Sequence, residues 1–457
     1  MSNPPGGSRP RPNVILITFD SLAARNMSLY GYDRVTTPHL DGFARRSFVF
    51  KNFAANCNST IPSLFSILTG RYPLSHDCLH VTSALGASER AENLASVLKK
   101  EGYHVSAVLG TLRDYAFVSR LQFVKTAGWA NGLKSQIFLW GDYLVGAFSR
   151  TSLFRWGREI NRRTLRANTS ESTFAKAVDH LRTLPFPFFL WVHIYPPHAP
   201  YLPSSRFKYA FLAEQTLDTF EAQRHYLDRN YPEQLQPVIN KLRSRYDELI
   251  LSADSGFGTF WNVIEHQSCL ENTIVIVTSD HGEMFERGYQ GHAGTLLYQP
   301  MVHIPLILRM PNQREGKAVT VNAGQVDIAP TLLDILGLKI PSWMEGESLK
   351  KALEWSPVRD RPKFSLSGNL FNNNGGLRTG SIAVTHEGYK LLYYPGKKGR
   401  ELYDISRDPN EGTNLIHSKR EEARILEDLI RERMPAPFLN RFESVEGLQR
   451  SNFSGIG

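Results

Sequence analysis

Residues 13–19, Asn-Val-Ile-Leu-Ile-Thr-Phe, form an unbroken β-branched and apolar run that stops at Asp20. Residues 273–279, Thr-Ile-Val-Ile-Val-Thr-Ser, repeat the pattern and stop at Asp280-His281-Gly282. A strand without polar alternation is buried on both faces, the situation of a parallel sheet covered by helices. Further runs of this kind occupy 103–109, 188–194 and 304–308. Between them lie segments with apolar residues at helical spacing: 36–48, opening near Pro38; 91–101, through Leu94, Val97 and Leu98; and 241–266, through Leu242, Tyr246, Leu249, Ile250 and Phe257. The alternation predicts an α/β fold with a mostly parallel sheet sandwiched by helices. Such sheets receive ligands at the carboxyl ends of their strands, which makes Asp20 and Asp280 candidate site residues by position.

A third element points to the same end of the sheet. In Asn58-Ser59-Thr60-Ile61-Pro62-Ser63-Leu64, proline suits a first helical turn because its missing N–H would be unpaired there anyway. Leu64, Ile67 and Leu68 supply an apolar stripe, and Gly70 closes the helix. A hydroxyl at such an N-terminus faces free backbone N–H groups and the positive end of the helix dipole, so Thr60 reads as a nucleophile or anion-binding group. Ser59 or Thr60 serving only as an N-cap is the plainer reading of the same residues.

The strand at 188–194 runs into Tyr-Pro-Pro-His-Ala-Pro-Tyr, which places His193 at the strand end and His198 in a proline-rich loop. Either histidine suits an anion or a leaving group, and either suits a structural hydrogen bond. Residues 136–166 pair an aromatic face, including Trp140, Tyr143 and Trp156, with Arg158, Arg162, Arg163 and Arg166. That is the pattern of a peripheral membrane contact that shapes substrate access, or of a helix covering the core with a solvated basic side.

The 457 residues carry a net charge of +9, which fits attraction to anionic substrates or surfaces without choosing among them. No nucleic-acid-binding motif is present, and no nucleic-acid partner is expected. Cys57, Cys78 and Cys269 include no CxxC pair and imply no disulfide framework. The amino terminus lacks a signal-peptide core, and no run approaches the roughly 18 apolar residues of a membrane span. The chain reads as cytoplasmic, with an exported mature form as the alternative. Residues 1–11 read as a flexible N-terminus, 12–357 as a catalytic α/β domain, 358–440 as a small C-terminal α+β subdomain and 441–457 as a tail.

Asp20, Thr60, Asp280 and His281 all fall where a parallel sheet gathers its ligand-facing ends. Two carboxylates, an imidazole and a hydroxyl suit one divalent ion, Zn²⁺ or Mn²⁺ first, with Ca²⁺ or Mg²⁺ as alternatives. Asp-His-Gly alone reads equally as a strand-end turn.

The ordered set Pro-Asn-Val-Ile-Leu-Ile-Thr-Phe-Asp at 12–20, Thr-Thr-Pro-His-Leu-Asp at 36–41, the Thr60 motif ending Leu-Thr-Gly-Arg, Pro-His-Ala-Pro-Tyr, Ser-Asp-His-Gly-Glu and Asp-Ile-Ala-Pro-Thr resembles the sulfatase family of the alkaline phosphatase superfamily. The tail segments Glu-Leu-Tyr-Asp and Asp-Pro-Asn-Glu are similar to that family's C-terminal subdomain. The resemblance implies Asp20, Asp280 and His281 as metal ligands, Thr60 at the nucleophile position, His292 as the cationic or leaving-group residue and His198 as a substrate contact.

The departures bear on the chemistry. Sulfatases oxidise Cys or Ser to formylglycine at the position of Thr60, and threonine, with its β-methyl, does not yield that aldehyde. An arginine usually stands where this chain has Leu64, an acid often where it has Ser21 or Arg25, and a lysine-bearing motif near Arg113, which is a candidate substitute. Fewer acids argue for one metal ion. The resemblance therefore implies a metal-dependent hydrolase or transferase of phosphate esters acting through Thr60, as in the phosphodiesterase and phosphoethanolamine-transferase branches. Its substrate is a small, lipid-linked or glycan-linked anionic ester, and oligomeric state is left open. The rival readings are a sulfuric ester hydrolase without formylglycine and a non-catalytic anion-binding member.

Overall fold

The computed structural model describes residues 10–79, 92–110, 169–227, 229–267, 271–354, 358–370, 377–394 and 399–434. Arg113, the 136–166 stretch, Cys269 and both chain ends lie outside the described residues. Strands β1 (Asn13–Phe19), β2 (Phe48–Ala54), β3 (His104–Leu109), β4 (Phe188–Ile194), β5 (Thr273–Ser279), β8 (Leu306–Arg309) and β9 (Lys317–Gly324) form one sheet. Its order is β3-β4-β1-β5-β8-β2-β9, and β6 (Met284–Glu286) with β7 (Tyr289–Gly291) makes a separate hairpin. The sheet is parallel except at β8, which runs antiparallel to both β5 and β2. The expected mostly parallel sheet is therefore present, with a reversed strand inside it.

Every residue of β1, β4 and β5 is buried. Alternate side chains serve two cores. Val14 and Leu16 pack with helices Thr60–Thr69, Leu94–Lys100 and Ile328–Ile335, while Ile15, Ile17 and Phe19 pack with helices Pro38–Ala44, Ser170–Leu181 and Gln236–Ile264. Two-sided burial is why these runs lack polar alternation.

Two expectations are corrected. The helix read over 36–48 ends at Ala44, because Arg45, Arg46 and Ser47 turn off it through bonds to Gly42, Phe43 and Ala44, and Phe48 opens β2. The long helix read over 241–266 starts earlier, at Gln236, where Pro237 occupies the first turn and loses no bond by lacking an N–H.

The carboxy-terminal part is an antiparallel sheet of β10 (Lys363–Leu370), β11 (Leu377–His386), β12 (Tyr389–Tyr394) and β13 (Gly399–Asp404). Helix Arg420–Arg433 covers it through Ala423, Leu426 and Ile430. The sheet is tied to the main domain beside the approach to Thr60. Leu366 N–H donates to the Asn56 carbonyl at 2.9 Å, and the Asn56 side chain donates to the Phe364 carbonyl at 2.7 Å.

A second tie is a fully buried ion pair. Lys390 Nζ donates to Glu411 Oε1 at 2.7 Å, and Glu411 Oε2 accepts the N–H of Gln299 at 2.7 Å. Removing one partner strands a buried charge, which costs about 3–5 kcal/mol. Glu411→Ala is expected to lower the thermal midpoint by that loss, and the double change Lys390→Met with Glu411→Leu to restore most of it. Thermal unfolding followed by circular dichroism checks both.

Candidate metal and nucleophile site

Register brings the two aspartates together. In the parallel pair β1–β5, Phe19 lies opposite Ser279, so Asp20 and Asp280 leave adjacent strand ends side by side. The Asp280 N–H still donates to the Phe19 carbonyl at 3.1 Å, and the Asp20 N–H to Ile194 of β4 at 2.9 Å. His281 follows Asp280, and ligand atoms of Asp20, Asp280 and His281 all lie within 4.8 Å of one another. Gly282 is required immediately afterwards, since a Cβ there would stand 2.1 Å from the Pro300 carbonyl oxygen.

Thr60 comes from the far side of the sheet. Beyond β2 the chain passes through residues 55–59 and enters helix Thr60–Thr69, where all residues after Thr60 are buried. Ile61, Leu64, Phe65, Ile67 and Leu68 sit in the core, each worth about 1.5–3 kcal/mol of burial, so the helix mouth is firmly held. Ser59 occupies the N-cap position but makes no side-chain capping bond, and Thr60 is the first helical residue. The Thr60 hydroxyl lies 3.2 Å from His281 Nε2 and faces the aspartate cluster. It does not act as a cap.

Hydrogen bonds orient the set. Asp280 Oδ1 accepts the N–H groups of Ser21 (2.9 Å) and His281 (2.7 Å), whereas Oδ2 is buried with no hydrogen-bond partner. His281 Nδ1 donates to the Gly282 carbonyl at 2.9 Å, which leaves the Nε2 lone pair on the side of Asp20 (3.7 Å) and Asp280 (3.5 Å). Burial depresses the His281 pKa against the opposing pull of Asp280, which favours the neutral ligand form. A buried carboxylate oxygen without a donor, beside a second carboxylate and an imidazole lone pair, is costly unless a cation satisfies it. The donor set fits a divalent ion.

The surrounding residues divide. His292 is brought to the cluster: its ring lies 4.3 Å, centroid to centroid, from that of His281. His198 packs edge-on to His292 at 4.9 Å and donates Nδ1–H to the Ala199 carbonyl at 2.6 Å. Burial, then His292, pushes the His198 pKa down to about 3, so His198 is neutral at ordinary pH. His193 is instead fully buried in β4, its Nδ1 2.7 Å from Thr18 Oγ1. Arg113 lies outside the described residues.

The departures at 21, 25 and 64 now have structural roles. Ser21 takes φ +68°, presents its N–H to Asp280 and donates its hydroxyl to Asp20 Oδ1 at 3.0 Å. Arg25 pairs with Glu286 on the β6–β7 hairpin, and Leu64 is a core residue.

Two site residues escaped the sequence reading. Glu283, 1% exposed, sits with both carboxylate oxygens 3.1 Å from His292 Nδ1. Burial raises its pKa to about 7, with His198 and His281 opposing. Asn58 clamps the His292 loop: its Nδ2 donates to the carbonyls of Ala293 (3.1 Å) and Leu296 (2.6 Å), and its own carbonyl accepts Ala293 N–H at 2.7 Å. The Glu in Ser-Asp-His-Gly-Glu was a signal available for the first, and no local pattern marks the second.

A family model described as "Sulfatase" matches residues 12–338, well over half the chain. This chain belongs to the sulfatase family. It is accordingly an ester hydrolase of a metal-dependent family within the alkaline phosphatase superfamily. A second model, "N-sulphoglucosamine sulphohydrolase, C-terminal", matches residues 288–435 and takes in the antiparallel sheet. An arylsulfatase of Clostridium perfringens is 27% identical, covering 91% of this chain and 92% of that protein. An N-acetylglucosamine-6-O-sulfatase of Bacteroides thetaiotaomicron is 24% identical, covering 91% and 84%. Among solved structures, the phosphonate monoester hydrolase of Agrobacterium radiobacter superposes with a TM-score of 0.71 at 19% identity, covering 92% of this chain and 94% of that one.

Proposed function

We propose that this sulfatase-family enzyme cleaves or transfers phosphate esters, with Thr60 Oγ1 as the attacking atom. The observation that carries the reading is the Thr60 hydroxyl, rigidly mounted at a helix mouth 3.2 Å from His281 Nε2 and beside Asp20 and Asp280. Asp20, Asp280 and His281 would hold one divalent ion with the Thr60 hydroxyl beside it; the ion would neutralise charge on the ester and acidify that hydroxyl.

The Thr60 oxygen, its own proton released to solvent, bonds to phosphorus as the bond to the departing oxygen breaks, and His292 supplies the proton that the departing oxygen needs. His198, neutral and with Nδ1–H committed to Ala199, orients the ester and leaves proton donation to His292. Water or an acceptor hydroxyl then takes the phosphoryl group from Thr60. The phosphonate monoester hydrolase that shares this fold supports attack at phosphorus on such a scaffold.

Among the described residues, Asp20, Asp280 and Glu283 set up to three negative charges against one divalent ion and His292. That balance favours a monoanionic ester over a dianionic one. Metal-loaded protein is therefore expected to turn over bis(4-nitrophenyl) phosphate and 4-nitrophenyl phenylphosphonate at least about tenfold better in kcat/KM than 4-nitrophenyl phosphate, a difference of about 1.4 kcal/mol. The arylsulfatase and N-acetylglucosamine-6-O-sulfatase relatives favour a second reading, sulfuric ester hydrolysis without formylglycine. Release of sulfate from 4-nitrophenyl sulfate faster than 4-nitrophenol from either monoanionic phosphorus ester would select that reading.

A further inference from the structure

We propose that Glu283 is a positioning residue for His292: its carboxylate holds His292 Nδ1–H and so fixes the ring with Nε2–H available to the departing oxygen. The inference deepens the reading above and rests on His292 assisting departure. It stands on a carboxylate buried at 1% exposure with both oxygens 3.1 Å from one imidazole nitrogen. A carboxylate buried so completely is retained only where something engages it.

The surroundings direct that engagement to His292. Ser21 Oγ lies 3.0 Å from Asp20 Oδ1 and 3.5 Å from His292 Nδ1 and also bonds the Glu283 side chain, so it steadies the carboxylate beside the ring. His198 and His281 stand against the flanks of the ring, at 4.9 and 4.3 Å between centroids, and limit its rotation. His281 and His198 have each given Nδ1–H to a backbone carbonyl, Gly282 and Ala199, whereas His292 has a carboxylate at the same atom. A carboxylate partner fixes the tautomer and orientation of an imidazole and stabilises its cationic form, which a carbonyl does only weakly.

The proton balance is simple. Donation requires the form of the pair with a proton on each His292 nitrogen, the one on Nδ1 held by the Glu283 carboxylate. As the bond from phosphorus or sulfur to the departing oxygen breaks, the Nε2 proton passes to that oxygen. Nδ1–H stays on Glu283, and His292 is left neutral.

The test compares Glu283→Gln with the unchanged enzyme on two monoanionic esters that share one acid part, 4-nitrophenyl phenylphosphonate and ethyl phenylphosphonate. Ethoxide needs a proton to depart and 4-nitrophenolate scarcely does. The loss in kcat/KM is expected to be at least about tenfold larger on the ethyl ester, within the ~10–100-fold range for an orienting carboxylate. Equal losses on both esters would overturn the proposal, since a packing defect does not discriminate between leaving groups.

A second measurement is independent of turnover. In protein labelled with 15N-histidine, the His292 Nδ1–H resonance, assigned by its disappearance in His292→Asn, should be present and lost or shifted far upfield in Glu283→Gln. Its absence from the unchanged protein would overturn the proposal even if no ester were cleaved. Failure of the Thr60 reading is seen separately, as full activity of Thr60→Ala, and leaves both readouts interpretable.

Discussion

Thr60→Ala should lose turnover by at least about 10⁴-fold while remaining folded and still binding its metal ion. Alanine is a good helix former at the first helical position, and the hydroxyl makes no capping bond there, so little stability depends on it. Asp20, Asp280 and His281 remain to hold the ion. Thr60→Ser keeps the oxygen and loses only the β-methyl, and should keep most of the activity. Steady-state kinetics on bis(4-nitrophenyl) phosphate, with metal content measured on the same samples, separate loss of the nucleophile from loss of the site.

Asp280→Asn should instead lose metal binding and turnover together. Oδ1 already accepts two backbone N–H groups, and Oδ2 is the buried oxygen left for a cation. Replacing it with an amide removes a charge of the cluster and the donor best placed for the ion. Metal affinity is expected to fall by more than about 100-fold and kcat/KM by about 10³-fold, since charge stabilisation of this kind is worth several kcal/mol. In metal-free protein the thermal midpoint should not fall, and should rise slightly, because a buried uncompensated carboxylate is gone. Mass-spectrometric metal analysis and calorimetry on the metal-free form read the two effects.

How far the sequence disclosed this arrangement follows from what each residue touches. Asp20 and Asp280 were legible because two-sided burial removes polar residues from β1 and β5 and makes each terminal acid conspicuous. Thr60 was legible through Pro62 and the apolar stripe behind it, which the core of helix Thr60–Thr69 reproduces. Strand β2 was not. Its exposure is mixed, with Lys51 and Asn52 toward solvent, so its pattern differs from that of the buried strands and blends into the preceding helix.

Nor did sequence distinguish His193 from His198, which sit five positions apart. The parity of β4 turns His193 into the sheet beside Thr18, while the proline-rich loop carries His198 to His292. The contacts of Glu411 with Lys390 and of Asn58 with the 293–296 loop join segments distant in sequence, and such pairings leave no periodic trace.

The central claim, that the Thr60 oxygen becomes bonded to phosphorus, is tested most directly by rapid quench. Metal-loaded enzyme mixed with bis(4-nitrophenyl) phosphate, stopped in acid within the first turnover and digested, should yield a peptide phosphorylated on Thr60, formed and then lost as product accumulates. Product formation at full rate with that peptide unmodified at every quench time would contradict it.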